Sequence, residues 1–95
     1  MTRAAPIALV LLFAGCARVE LDEAQVAENF QARHPKCAML RATRAQPDDT
    51  SIHVTIDYRC PEPPAERRLE ARYTYFDGRW DLWGEFEPGT DKQVY

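Results

Sequence analysis

The stretch RLEARYTYFDGRWDLWGEF, residues 68–86, decides the fold. Two runs rich in aromatic and strand-favouring residues flank Asp77-Gly78, a dipeptide suited to the two-residue hairpin turn in which both central residues are left-handed. With that turn, Phe76 faces Arg79, Tyr75 faces Trp80, Tyr73 faces Leu82, Ala71 faces Gly84 and Leu69 faces Phe86. Strand residues alternate between faces. The set containing Tyr73, Tyr75, Trp80 and Leu82 is therefore apolar or small throughout. A slip of one residue would turn the whole set to water, so the pattern specifies the register.

Upstream, Ser51 to Cys60 alternates cleanly. Ile52, Val54, Ile56, Tyr58 and Cys60 share one face, and His53, Thr55, Asp57 and Arg59 the other. This is a half-buried strand. Cys37 to Ala45 is a further strand, with Met39 and Leu40 breaking its alternation, and Gln46 to Thr50 is a turn cluster. Pro61 to Glu66 connects the second strand to the hairpin. Before the strands, Asp22 is placed to cap a helix that runs to about Arg33. Gln25 is placed to complete a capping box, and Leu21 and Val26 to form a hydrophobic staple. Val26 and Phe30 supply its apolar stripe, and Pro35 ends it. One helix must then cover the apolar face of four strands. The expectation is an α+β fold, α-β-β-β-β, with one N-terminal helix packed on a four-stranded antiparallel meander sheet in two layers. Cystatin-like domains share this outline, an analogy of fold that carries no function.

The N-terminus has a different character. A single basic residue, Arg3, precedes eight apolar residues, Ile7 to Ala14, and then Gly15 and Cys16. Eight apolar residues are too few to span a bilayer, which takes ~20, but they suit an export signal. Phe13-Ala14-Gly15-Cys16 resembles the lipobox of bacterial lipoprotein precursors, with phenylalanine where leucine is more common. The resemblance covers residues 1–16 only, and no family is recognised for the domain. It implies cleavage before Cys16 and lipid attachment at Cys16. It also implies, from Ala17 standing where an inner-membrane retention aspartate would be, an outer-membrane protein facing the periplasm. The outer face of the inner membrane and a Gram-positive cell surface are the alternative locations. A cleaved signal with a free Cys16, or a buried N-terminal helix, are the alternative readings of the segment itself. The chain thus divides into a signal peptide (1–15), a lipidated cysteine and short tether (16–21), the α+β domain (22–87) and an irregular C-terminal tail (88–95).

The cysteine count fits the anchor. Of Cys16, Cys37 and Cys60, two are left to pair if Cys16 carries lipid. Cys37 opens the first strand and Cys60 closes the second, ends that are neighbours in an antiparallel pair. A disulfide is expected, with a redox or metal pair as the alternative. Neither a Cys-x-x-Cys motif nor a histidine at ligand spacing accompanies the two.

The chain carries 12 basic and 15 acidic residues, a net charge of −3. Loss of Arg3 with the signal leaves 11 against 15, or −4. Mild acidity argues against nucleic acid. No small-molecule cofactor is implied, because phosphate-cradling glycine loops and zinc-ligand clusters are absent. No catalytic set emerges either. His53 and Asp57 lie ~13 Å apart along one strand. His34 beside Pro35 suits a capping or solvent-exposed role better than a ligand role. Glu70 and Glu85 fall opposite each other in the hairpin register, the only hint of carboxylate-pair hydrolysis, with Arg59, Arg68 and Arg72 near enough to neutralise them.

The outward sheet face is mostly charged, and Trp83 stands out on it. An aromatic on a polar face is a candidate partner hot spot. Phe76 and Arg72 complete the candidate partner-binding set. The alternatives are a tryptophan stacked on the Arg72 guanidinium or turned inward by a bulge at Gly84. The sequence therefore points to a lipid-anchored, non-catalytic accessory protein of the cell envelope. Its partners would be the membrane, through lipid on Cys16, and another envelope protein. An immunity or inhibitor lipoprotein that neutralises a toxin or lytic enzyme is the alternative.

Overall fold

A computed structural model describes residues 19–95. Helix α1, Glu23–Arg33, begins where Asp22 adopts an extended conformation and its carboxylate accepts from the Ala24 amide at 2.9 Å. That bond satisfies one of the donors a helix start leaves unpaired. Glu23 in the first turn and Arg33 in the last complement the helix dipole. The expected capping box does not form. The Gln25 side chain turns to the sheet, where its Nε2 donates to the Trp80 carbonyl at 2.7 Å. The helix closes with the His34 amide donating to the Phe30 carbonyl at 2.8 Å, and Pro35 follows.

Four strands form one antiparallel sheet in the order β1-β2-β3-β4: β1 Ala38–Asp48, β2 Ser51–Arg59, β3 Glu66–Phe76 and β4 Arg79–Phe86. With α1 this is the two-layer α+β meander. Strand β1 runs past Ala45 to Asp48. Asp48 ends it by accepting from the Thr50 amide and hydroxyl at 2.9 and 3.1 Å. Pro47 fits inside β1 because β1 is an edge strand and its register with β2 shifts between Ala45 and Asp48. Cys37 and Cys60 form a disulfide with Cα atoms 4.3 Å apart, 23 residues apart in sequence. A closed loop of that length contributes about 3 kcal/mol in the chain-entropy account.

The hairpin turns at Asp77 and Gly78, with φ of 56° and 80°. Phe76 pairs with Arg79, Tyr75 with Trp80 and Tyr73 with Leu82, as the pattern predicts. Beyond Leu82 the pairing departs from expectation. Arg72 pairs with Gly84, Ala71 with Glu85 and Glu70 with Phe86. Trp83 is the extra residue of a β-bulge. Alternation therefore inverts after Trp83: Glu85 turns to the helix side and Phe86 to the other face. Each finds a partner there, as described below. Gly84 leaves room for the Gln93 side chain, which a Cβ would meet at 2.9 Å.

Past Phe86 the chain folds back. Gln93 forms an isolated antiparallel bridge with Phe86. The Glu85 carbonyl accepts from the amides of Val94 and Tyr95 at 2.8 and 3.2 Å. The edge of β4 is thus partly covered by the chain itself. The core lies between α1 and the sheet. Leu21, Val26 and Phe30 meet Ile52, Val54, Ile56, Leu69, Tyr73 and Trp80, all buried. Each such side chain stabilises the fold by roughly 1.5–3 kcal/mol. Coverage is uneven, because residues Leu40 to Asp48 of β1 are all exposed.

Candidate functional site

The sheet face away from α1 carries the charges that alternation sends outward. Most are engaged with one another. Asp57 accepts from Arg68 Nε at 2.6 Å and from Arg41 Nη2 at 2.9 Å. Those hydrogen bonds, Arg68's foremost, hold its carboxyl below the usual range. Arg59 pairs with Glu66 at 2.5 Å. His53 Nδ1 lies 2.8 Å from Glu70 Oε2, and Glu70 Oε1 accepts from the Gly89 amide at 2.9 Å. His53 and Asp57 thus have separate partners, as their spacing requires.

Arg72 belongs to the same network and faces the chain's own tail. Its guanidinium lies 4.0 Å from the centre of the Phe86 ring. It donates to the Thr90 carbonyl and to Asp91 Oδ1, the latter at 3.1 Å. Its side chain is only 13% exposed. Trp83 also packs against Phe86, with ring centroids 5.2 Å apart and planes 30° apart. It therefore neither stacks on Arg72 nor turns inward. The bulge turns Glu85 inward instead, and Trp83 stays 64% exposed over a buried phenylalanine floor. Phe76 is 72% exposed, but the Thr74 and Asp81 pair separates it from Trp83. Four residues of strand correspond to ~13 Å, so the two rings do not form one patch.

Glu70 and Glu85 are not brought together. The bulge puts them on opposite faces, which removes the geometry a carboxylate pair needs. Glu85 is buried beneath the end of α1, its Oε1 2.7 Å from His34 Nε2. His34 is correspondingly tucked in rather than solvated. Its ring stacks on Phe30 at 4.9 Å and meets Tyr95 at 6.0 Å. Arg33 lies 4.5 Å from the centre of the Tyr95 ring. Tyr73, whose hydroxyl donates to Asn29 Oδ1 at 2.9 Å, has its pKa pushed up to about 12, first by burial and then by Glu85. These groups tie helix, sheet and tail together, and sequence spacing alone could not bring them to one place.

Cys16 lies outside the described residues. Three residues later the chain is already bound to the domain: the Val19 carbonyl accepts from Trp80 Nε1 at 3.0 Å. The Leu21 carbonyl accepts from Arg44 Nη2 at 2.5 Å. Both contacts lie toward the end of the sheet that carries the two tight turns. Among the described residues no helix is long and apolar enough to cross a membrane, and no group of three or more His, Cys, Asp or Glu side chains could hold a metal ion. No family model matches the chain, no curated protein matches it, and no solved structure does.

Proposed function

We propose that this is a lipid-anchored accessory protein of the cell envelope that acts by contact with another protein rather than by catalysis. The observation that carries the reading is Trp83. Its large ring stands in solvent on a mostly charged face and packs on the buried Phe86 ring, which the Arg72 guanidinium contacts in turn. A preorganised exposed aromatic loses little freedom on binding, which is the property of a hot spot.

The anchor reading supports the same function. Lipid on Cys16 holds the chain at the membrane, and attachment of Val19 to Trp80 leaves three Cα-to-Cα steps, through Ala17 and Arg18, between the lipidated residue and the domain. At ~3.5 Å per residue this tether reaches about 10 Å. The partner is therefore met close to the bilayer. With Ala17 after the lipidated cysteine, that bilayer is the outer membrane and the domain faces the periplasm.

The test is capture of partners from solubilised membranes with the full-length protein and with Trp83→Ala. Loss of a specific co-purifying protein, with thermal unfolding unchanged, is the expected result. Capture that is identical for the two proteins refutes the role of Trp83.

A further inference from the structure

Among the described residues, strand β1 is the open side of the fold. It is an edge of the sheet, and no strand among the described residues pairs with its outer side. The opposite edge, at β4, is partly covered by the Gln93–Tyr95 segment. Between its two register shifts β1 is regular: Arg41 to Ala45 pair in sequence with Asp57 to His53. An edge of this kind turns backbone donors and acceptors to solvent and is a template for one more strand.

Two cavities flank this edge, one on each side of the sheet, and both are lined by Leu40 and Arg41. On the helix side, a groove of about 340 Å³ runs between α1 and β1, with Val26, Ala27, Met39, Ala42 and Val54 as its apolar lining. Its charged members are Glu23, Arg41 and Arg44, and Arg44 is held by the Leu21 carbonyl. At the other side, a cleft of about 580 Å³ is lined by Arg41, Arg67 and Arg68 with Asp57 and Glu66. Arg59 pairs with Glu66. On the outward face Arg41, Arg59 and Arg68 thus stand against Asp57 and Glu66, in a chain whose overall charge is −3, while Arg67 pairs with Tyr58 and donates to the Glu62 and Pro64 carbonyls. The Arg41 side chain is 69% exposed even while bonded to Asp57.

A strand laid along β1 would alternate its side chains between these two environments with a period of two. We propose that β1 accepts an extended segment of a partner protein in which acidic and apolar side chains alternate. The apolar side chains enter the groove beside α1, and the carboxylates face the arginines. Main-chain hydrogen bonds hold the segment, and the two cavities select its sequence. A second copy of this chain is disfavoured by charge. Pairing β1 with β1 would bring Arg41 and Arg44 of both copies to one junction, with no acidic residue between Ala38 and Pro47 to offset them. The proposal rests on the reading of the protein as a contact module and names the chemistry of its partner.

The test uses the full-length lipidated protein in nanodiscs and two synthetic probes. One is acetyl-Val-Glu-Val-Glu-Val-Glu-Val-amide, and the other has lysine at each glutamate. Backbone hydrogen exchange reports where each binds, and fluorescence anisotropy reports how tightly. The glutamate peptide is expected to protect residues 38–48 and to bind about tenfold or more tightly than the lysine peptide. Arg41→Glu should weaken the glutamate peptide by a similar factor. Ala42→Asn, at an exposed position in the groove, should weaken it without changing thermal unfolding. Absence of protection in β1, or equal binding of the two peptides, overturns the proposal. So does protection of β1 that grows with protein concentration in the absence of peptide, because a second copy would then be the occupant. If Trp83-dependent capture persists while β1 takes no peptide, the contact function stands and this assignment falls. Peptide binding by β1 without any Trp83-dependent capture has the opposite meaning.

Discussion

At the scale of single residues, Glu85 and Trp83 owe their positions to one event, the bulge after Leu82. It carries Glu85 under α1 to His34 and leaves Trp83 in solvent above Phe86. Because Glu85 is almost wholly buried, His34→Ala removes the partner of a carboxylate that water cannot reach. The expected loss is about 2–3 kcal/mol, read as a lower denaturant midpoint with an unchanged slope. An unaltered midpoint would show that another group holds Glu85. Tyr73 provides a second check. Its pKa is raised by burial to about 12, so the folded protein holds this proton more tightly than the unfolded chain does. Stability from this source is complete below the ordinary tyrosine value of 10 and is lost as pH rises from there through 12. Tyr58, also raised by burial, acts in the same direction. Tyr73→Phe should flatten the alkaline decline measured by unfolding between pH 9 and pH 12, while removing the bond to Asn29 lowers stability at neutral pH by about 1 kcal/mol.

At the scale of elements, the turn between β3 and β4 is set by its chemistry. Gly78 has φ of 80° and open space beyond its missing Cβ. Gly78→Ala should therefore cost about 1 kcal/mol through the backbone alone. A thermal shift of a few degrees with the same hairpin pairing is the expected readout. This turn, the strand at Ser51 and the cap at Asp22 were legible in the sequence because each is a local preference repeated by its neighbours. The capping box at Gln25 was not. A side chain that can reach its own helix start can equally reach a sheet carbonyl, and only the packed fold decides which. The bulge was legible only as an alternative at Gly84, and its consequence for Glu85 was not, for a related reason. In Leu82-Trp83-Gly84-Glu85 simple alternation put an apolar or small residue at every inward position. The inversion becomes favourable only because His34 lies within reach on the helix side and Arg72 on the other. The candidate site was accordingly half visible. Trp83 was placed on its face by alternation. That Arg72 is held by the tail, and that Phe76 lies apart, follow from contacts far away in sequence.

At the scale of the whole molecule, the two ends of the sheet have different roles. At the turn end, Val19 and Leu21 are held by Trp80 and Arg44. The disulfide and the arginine-lined cleft lie toward the other end. Seven residues of β3, from Tyr75 to Arg68, correspond to ~23 Å. On the proposed reading the turn end stays near the lipid while the sheet face and the β1 edge stand clear of it, open to a partner. The central claim is that contact through Trp83 takes place at the membrane. It is tested most directly by replacing Trp83 with a photoreactive benzoylphenylalanine and irradiating intact cells of the host. The prediction is a discrete higher-mass adduct from position 83. It should be absent when the probe replaces Glu28 on the exposed side of α1, and lost when Cys16→Ser removes the anchor. No adduct from position 83, or one formed undiminished by the Cys16→Ser protein, would contradict the account.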